Sequence, residues 1–157
     1  MPDGVSGTVA GMAKTKVPAL GAEGWFADDA DGPALIGSRC TTCGTVAFPA
    51  VTFSCRNPSC PGMTFEPTRL SRTGTVWSAT DARYAPPPPF IPRGDEHEPF
   101  AIAAVQLAAE QLVVLGQVAD GVSPDQLPVG TQVELVIDTL FEDDEHEYTI
   151  WKWRVVA

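Results

Sequence analysis

The sequence predicts a mainly β protein, a small cysteine-bearing module followed by a five-stranded barrel, and three observations carry that prediction. All four cysteines lie in one run, CTTCGTVAFPAVTFSCRNPSC, from Cys40 to Cys60. About five β-rich apolar runs follow in roughly eighty residues, separated by turn residues. The 157-residue chain holds 15 prolines and 14 glycines, which punctuate it too often for long helices.

Composition bounds the rest. Hydrophobic residues make up 44% and charged residues 19%, a globular balance. The length suits one ordinary domain, or a small module joined to one of about 100 residues. No apolar run approaches the ~18 residues of a membrane span, and MPDGVSGTVAGMAKTKVPAL lacks the continuous apolar core of a signal peptide. A soluble cytoplasmic protein is expected, and a CxxC-bearing cluster suits that reducing compartment. The formal net charge of −10 and pI of about 4.4 oppose binding to a phosphate backbone. Its distribution is uneven: Gly94 through Trp151 contains no Lys or Arg, whereas Arg39, Arg56, Arg69 and Arg72 bracket the cysteines with Glu66 the only acid among them. Any anion-binding surface is therefore expected near the cluster.

Taken in order, residues 1–33 form an N-terminal tail, flexible or ordered by a partner to about residue 20, with a short helix around Trp25 and Phe26. Residues 34–69 form the cysteine module, entered by a strand from Ala34 to Ser38. Residues 70–157 form the barrel. Running across that boundary, MTFEPTRLSRTGTVWSATDARYAPPPPF reads as a strand, a turn at Gly74, and a longer strand from Thr75 to about Tyr84 that Pro86 to Pro89 terminate, because consecutive prolines cannot donate to a ladder. Phe100 to Leu107 and Leu112 to Val118 form a hairpin across AAEQ, whose turn chemistry is poor. GVSPDQLPVG is a connection with one helical turn at Pro124 to Leu127. TQVELVIDTLF alternates as a half-buried strand should. The last strand, EYTIWKWRVV, sets Thr149, Trp151, Trp153 and Val155 on one face and Tyr148, Ile150, Lys152 and Arg154 on the other. Closing five such strands removes unpaired edges, and a connection between the third and fourth fits an OB-fold. An SH3-like barrel or a small sandwich is the alternative.

Cys40 and Cys43 form C-x2-C, and Cys55 and Cys60 form C-x4-C, with eleven residues between the pairs. Two such pairs supply the tetrahedral thiolate set that zinc takes in structural sites, with iron in a rubredoxin-like site as the runner-up. Gly44 follows Cys43 where a knuckle needs positive φ. Four thiolates leave no open position for water, so the metal is read as structural and no thiol remains as a nucleophile. His97 in GDEHEP and His146 in EDDEHEY read as solvated loop residues. GxSxG, HExxH, P-loop and GxGxxG motifs are absent, and no catalytic residue is assigned.

The remaining features have double readings. Trp77, Trp151 and Trp153 suit a barrel core or a protein interface better than base stacking. The arginines near the cluster either offset the charge of about −2 on a zinc tetrathiolate or bind phosphates. A zinc ribbon with an OB barrel suggests single-stranded nucleic-acid binding by fold analogy alone. That reading needs basic residues and aromatic platforms on strands two and three, and FAIAAVQL and LVVLGQV hold one aromatic and no Lys or Arg. An accessory subunit that docks on an enzyme is the other class, favoured by these uncharged strands.

GSRCTTCGTVAFPAVTFSCRNPSC, RLSRTGTVWSAT, the PPPPF loop, PFAIAAVQL, LPVGTQVEL and the closing WKWR, taken in order, resemble the acyl-CoA-associated zinc-ribbon and OB-fold family, domain of unknown function 35. The resemblance runs from about Leu35 to the C-terminus. It implies an N-terminal rubredoxin-like four-cysteine ribbon with structural Zn2+, a five-stranded OB-fold, and a thiolase-fold catalytic subunit as partner in a hetero-oligomer acting on CoA thioesters. The partner would carry the nucleophilic cysteine and the histidine bases. Phe48, Pro49, Trp77, Pro88, Phe90 and Trp151 then become candidates for the partner or acyl-CoA surface, and Arg39, Arg56 and Arg72 for CoA phosphates. The ending EYTIWKWRVV is similar to members acting in anaerobic aromatic degradation, of the type of a benzoylsuccinyl-CoA thiolase small subunit. AAEQ and the Gly/Ala-rich N-terminal tail depart from the family pattern.

Overall fold

The computed structural model describes residues 13–92, 94–119 and 121–156. Among the described residues ten strands follow in order: β1 Thr15–Pro18, β2 Phe26–Asp29, β3 Gly32–Cys40, β4 Val46–Ala47, β5 Phe65–Arg69, β6 Thr73–Ala82, β7 Phe100–Leu107, β8 Leu112–Val118, β9 Gln132–Glu142 and β10 His146–Val155, with one 3-10 turn at Pro124–Gln126. The protein is mainly β.

Strands β6 to β10 close into an OB-type barrel. β6, β7 and β8 form an antiparallel meander, β8 pairs in parallel with β10, β10 pairs antiparallel with β9, and β9 returns to β6. The parallel pairing of the third and fifth strands is what separates this arrangement from an SH3-like barrel or a sandwich. Alternation drives it: Val133 and Leu135 of β9, Val105 and Leu107 of β7 and Trp153 of β10 are all fully buried.

The cysteine module is built on β3, which pairs antiparallel with β2, β4 and β5. Its apolar residues do not form a separate core. Leu35, Val46 and Leu70 belong to the same buried cluster as Val76, Val105, Leu135 and Trp153 of the barrel, so one apolar interior holds the two parts together.

Several expectations need correction. The helix at Trp25 and Phe26 is a turn leading into β2, because Phe26 pairs with Leu35 and extends the sheet of β3. The tail reading extended to residue 20, yet Thr15 to Pro18 form β1, paired in parallel with His146 to Thr149 of β10. The part of that reading on residues 1–12 lies outside the described residues. Gly74 is not a turn: it lies inside β6 opposite Val133, and the interruption between strands falls earlier, at residues 70–72. Lys152 alternates with Trp151 and Trp153 as expected, and its side chain is 1% exposed. Its Nζ bonds Asp138 Oδ2 at 3.1 Å and Thr139 O at 3.4 Å, which satisfies the ammonium while the alkyl stem is covered.

Candidate metal centre and the aromatic junction beside it

The four thiols converge. Cys40 ends β3, Cys43 closes the turn after it, and Cys55 and Cys60 come from the loop between β4 and β5. Their Sγ atoms all lie within 4.8 Å of one another, with Cys40 to Cys60 at 3.8 Å and Cys43 to Cys55 at 3.6 Å. These separations suit sulfurs gathered around one metal ion.

Backbone geometry builds each knuckle. The Gly44 N–H donates to Cys40 O at 2.9 Å, and Gly44 takes φ of +78°, as the position after Cys43 requires. In the second pair, the N–H groups of Asn57 and Gly62 each donate to the sulfur two residues earlier, Cys55 and Cys60, both at 3.4 Å. Such N–H···S bonds stabilise thiolates, the ligand form. A side chain on Gly62 would bring its Cβ within 2.7 Å of Cys40 Sγ, so the residue at this position must lack one for the chain to pass so close.

The thiols are electrostatically unequal. The Thr45 hydroxyl, 3.1 Å from Cys43 Sγ, and the Thr45 N–H hold Cys43 down at about 6. The Gly62 N–H pulls Cys60 down too, but desolvation and the neighbouring cysteines outweigh it and push that thiol up to about 12. Four adjacent thiols cannot all ionise without a cation to absorb their charge, which is the demand a divalent metal meets.

Beside the cluster lies an aromatic junction. Phe48, in the loop after β4, meets Trp151 of β10 edge-on at 5.7 Å and Trp25 edge-on at 5.7 Å, while Trp25 stacks on Trp151 at 6.0 Å and Phe26 meets Trp151 at 6.3 Å. Four rings from three stretches of chain thus pin the module to the barrel. The Trp151 Nε1–H donates to Leu115 O at 3.0 Å, which orients the ring. Trp25 and Phe26 escaped the sequence reading as site residues, although their adjacency in GWF was the available signal.

The other candidates are dispersed. Trp77 sits at a bulge in β6 and is 59% exposed. Pro88 is exposed in the proline loop, and Phe90 stacks on Phe100 at 6.0 Å. His97 is half-buried rather than solvated, with Nε2 2.8 Å from Ala82 O and its ring against Phe90 and Phe100. His146 opens β10, 3.6 Å from Asp143 Oδ1. Phe90, His97, Phe100, Gln117 and Leu140 line a cavity of about 150 Å³.

The arginines do not form one group. Arg39 flanks Cys40 and donates to Gly44 O at 3.4 Å, and Arg56 is exposed next to Cys55. Arg69 pairs with Asp29 at 3.0 Å. Arg72 lies against Gly32, at the start of β3, whereas the cysteines lie at its end. A nine-residue strand spans roughly 25 Å, so Arg72 is remote from the cluster, contrary to expectation.

Fold and cluster together define the class, a four-thiol module fused to an OB barrel. Comparison with known proteins agrees. Residues 67–138 match the family described as ChsH2, C-terminal OB-fold domain. The chain is 34% identical over 112 residues to a DUF35 domain-containing scaffold protein of Methanocaldococcus jannaschii, a match covering 71% of this chain and 72% of that one. It is 31% identical over 112 residues to the benzoylsuccinyl-CoA thiolase subunit BbsA of Thauera aromatica, covering 71% and 69%. Among solved structures, a chain of the Ltp2-ChsH2(DUF35) aldolase matches with a TM-score of 0.57 and 28% identity, over 78% of this chain and 84% of that one. The protein belongs to the DUF35 family.

Proposed function

We propose that this chain is a noncatalytic accessory subunit of a thiolase-like complex acting on CoA thioesters, required by a thiolase-fold partner for thiolytic or retro-aldol cleavage, or condensation, of a carbon–carbon bond. One observation carries the reading. Similarity to a thiolase subunit extends over 112 residues, more than the barrel from Thr73 to Val155 contains, so it reaches beyond the OB-fold alone. The likeness to a chain of an aldolase complex supports the same class.

In this reading Cys40, Cys43, Cys55 and Cys60 hold Zn2+ in a closed structural site that consumes every thiol. The metal supplies folding energy to the module, and reactive groups come from the partner. Phe48, Pro49, Trp77, Pro88, Phe90 and Trp151 serve the partner or acyl-CoA surface, with Phe48 and Trp151 acting from the aromatic junction. Arg39 and Arg56, beside the cluster, are the better placed of the CoA-phosphate candidates, and Arg72 would have to contact a different part of the ligand. The similarity to the benzoylsuccinyl-CoA thiolase subunit favours aromatic-compound degradation as the setting, and the CxxC-bearing thiols favour a reducing cytoplasm.

The test is co-expression with a thiolase-fold protein. The two chains should co-purify, and carbon–carbon bond cleavage of a β-ketoacyl-CoA should need both. Ordinary turnover by the isolated chain would overturn the noncatalytic assignment. Tight, salt-sensitive binding of single-stranded oligonucleotides would support a nucleic-acid reading instead.

A further inference from the structure

The meander β6-β7-β8 turns one face to the core and the other outward, and the outward face is uncharged, with Trp77, Val113 and Leu115 exposed among small or neutral polar residues such as Ser78, Thr80 and Gln106. The stretches 75–80, 102–106 and 113–117 contain no charged residue. Register sets Leu115 of β8 opposite Ala104 of β7, which lies opposite Ser78 of β6, and the bulge between Val76 and Ser78 projects Trp77 beside them. Trp77, Val113 and Leu115 are 59%, 47% and 64% exposed, while Ala104 at the centre is 8% exposed. Large apolar side chains exposed together on neighbouring strands mark an interaction surface rather than ordinary solvent-facing sheet.

Charge selects the occupant. This is the face on which an OB barrel commonly reads single strands, but without Lys or Arg it offers nothing to phosphates. A second copy of the chain would bring another −10 of net charge against the first. The exposed acids Asp95, Glu96 and Glu98 precede β7 and flank one end of the face. A complementary surface is therefore apolar at its centre and basic along that edge, and it belongs to a different protein.

We propose that the outward face of β6-β7-β8, centred on Trp77 and Leu115, is the docking surface for the catalytic subunit. The proposal rests on the accessory-subunit reading above and adds the surface and its chemistry.

The experiment uses the full chain and the co-expressed thiolase-fold subunit, with affinity measured for Trp77→Glu, Leu115→Glu and a control, Leu20→Glu, at a site that is 91% exposed. Each face variant should weaken binding by at least about tenfold, as central interface residues do, while the control stays within about twofold of wild type. Thermal melts check folding, and Trp77→Ser and Leu115→Ser replace any glutamate variant that unfolds. If the wild-type chain binds and the face variants bind equally well, the docking surface is wrong and the accessory-subunit reading survives. If the wild-type chain does not bind, the accessory reading fails and takes the occupant with it. A homodimer dissolved by the same substitutions would assign the face to a second copy and overturn the proposal.

Discussion

Glu110 Oε1 accepts hydrogen bonds from both the N–H of Ser71, at 2.6 Å, and its hydroxyl, at 2.7 Å. Ser71 lies between β5 and β6, where the cysteine module passes into the barrel, and Glu110 belongs to the tight turn between β7 and β8. The turn that reads poorly as AAEQ thus holds the carboxylate that fastens the junction. Gln111, at φ of +56°, accepts the left-handed conformation that the turn needs.

Removing that carboxylate leaves the Ser71 N–H without its acceptor in a part-buried position. Glu110→Ala should destabilise the protein by about 1–3 kcal/mol, and Ser71→Ala by less, because the backbone N–H bond survives it. Denaturant melts of both variants check this, and equal losses would contradict it.

The metal centre predicts stoichiometry and a steric dependence. Elemental analysis of freshly purified, reduced protein should find one zinc per chain, lost in Cys55→Ser or Cys60→Ser. Chelation should lower the melting temperature and expose the module to protease. Gly62→Ala should weaken metal retention with every ligand still present, because its Cβ would press on Cys40 Sγ.

The aromatic junction predicts coupling across the sequence. Phe48→Ala and Trp151→Ala should each destabilise, Trp151 by about 3–5 kcal/mol at most since it is half-buried. A double-mutant cycle between them should return about 0.5–1.5 kcal/mol of interaction, and a value near zero would mean the rings are merely neighbours.

Lys152 separates packing from charge. Asp138 is partly open to water, its side chain 46% exposed, so loss of the ammonium costs less than loss of the buried stem. Lys152→Met should retain most of the wild-type stability, and Lys152→Ala should lose about 2 kcal/mol or more, as measured by chemical denaturation.

The hairpin tip between β9 and β10 gives a pH prediction. Asp143 accepts the N–H groups of Glu145 and His146 and the Tyr148 O–H, and these bonds hold its carboxyl down at about 2 against an ordinary 3.8. A carboxyl depressed in the folded state stabilises the tip fully above the ordinary value and ceases to do so as pH falls through about 2. The same bond raises the Tyr148 phenol, because the nearby carboxylate opposes its ionisation. In Asp143→Ala, NMR titration should show Tyr148 ionising at lower pH than in wild type.

Much of this was legible locally. Runs such as 100–107 and 112–118 are β-rich and apolar enough to mark their strands at the observed bounds, and C-x2-C with C-x4-C names all four clustered thiols. Errors came where distant partners override local preference. GWFADD reads as a short helix until Phe26 finds Leu35 as its strand partner, and the N-terminal Thr15 to Pro18 has no strand signal until β10 offers an edge. Lys152 shows the limit of period-two alternation, which says which face a residue takes but not what covers that face.

The sequence by itself determined the β class, the barrel strands and the identity of the four thiols, since each depends on spacing within a few residues. Only the tertiary structure decided which side chains work together: Trp25 with Phe48 and Trp151, Glu110 with Ser71, and Arg72 away from the cysteines. The physical reason is that these relations join residues up to more than a hundred positions apart. Strand pairing and the shared apolar core set such distances, and no local pattern encodes them.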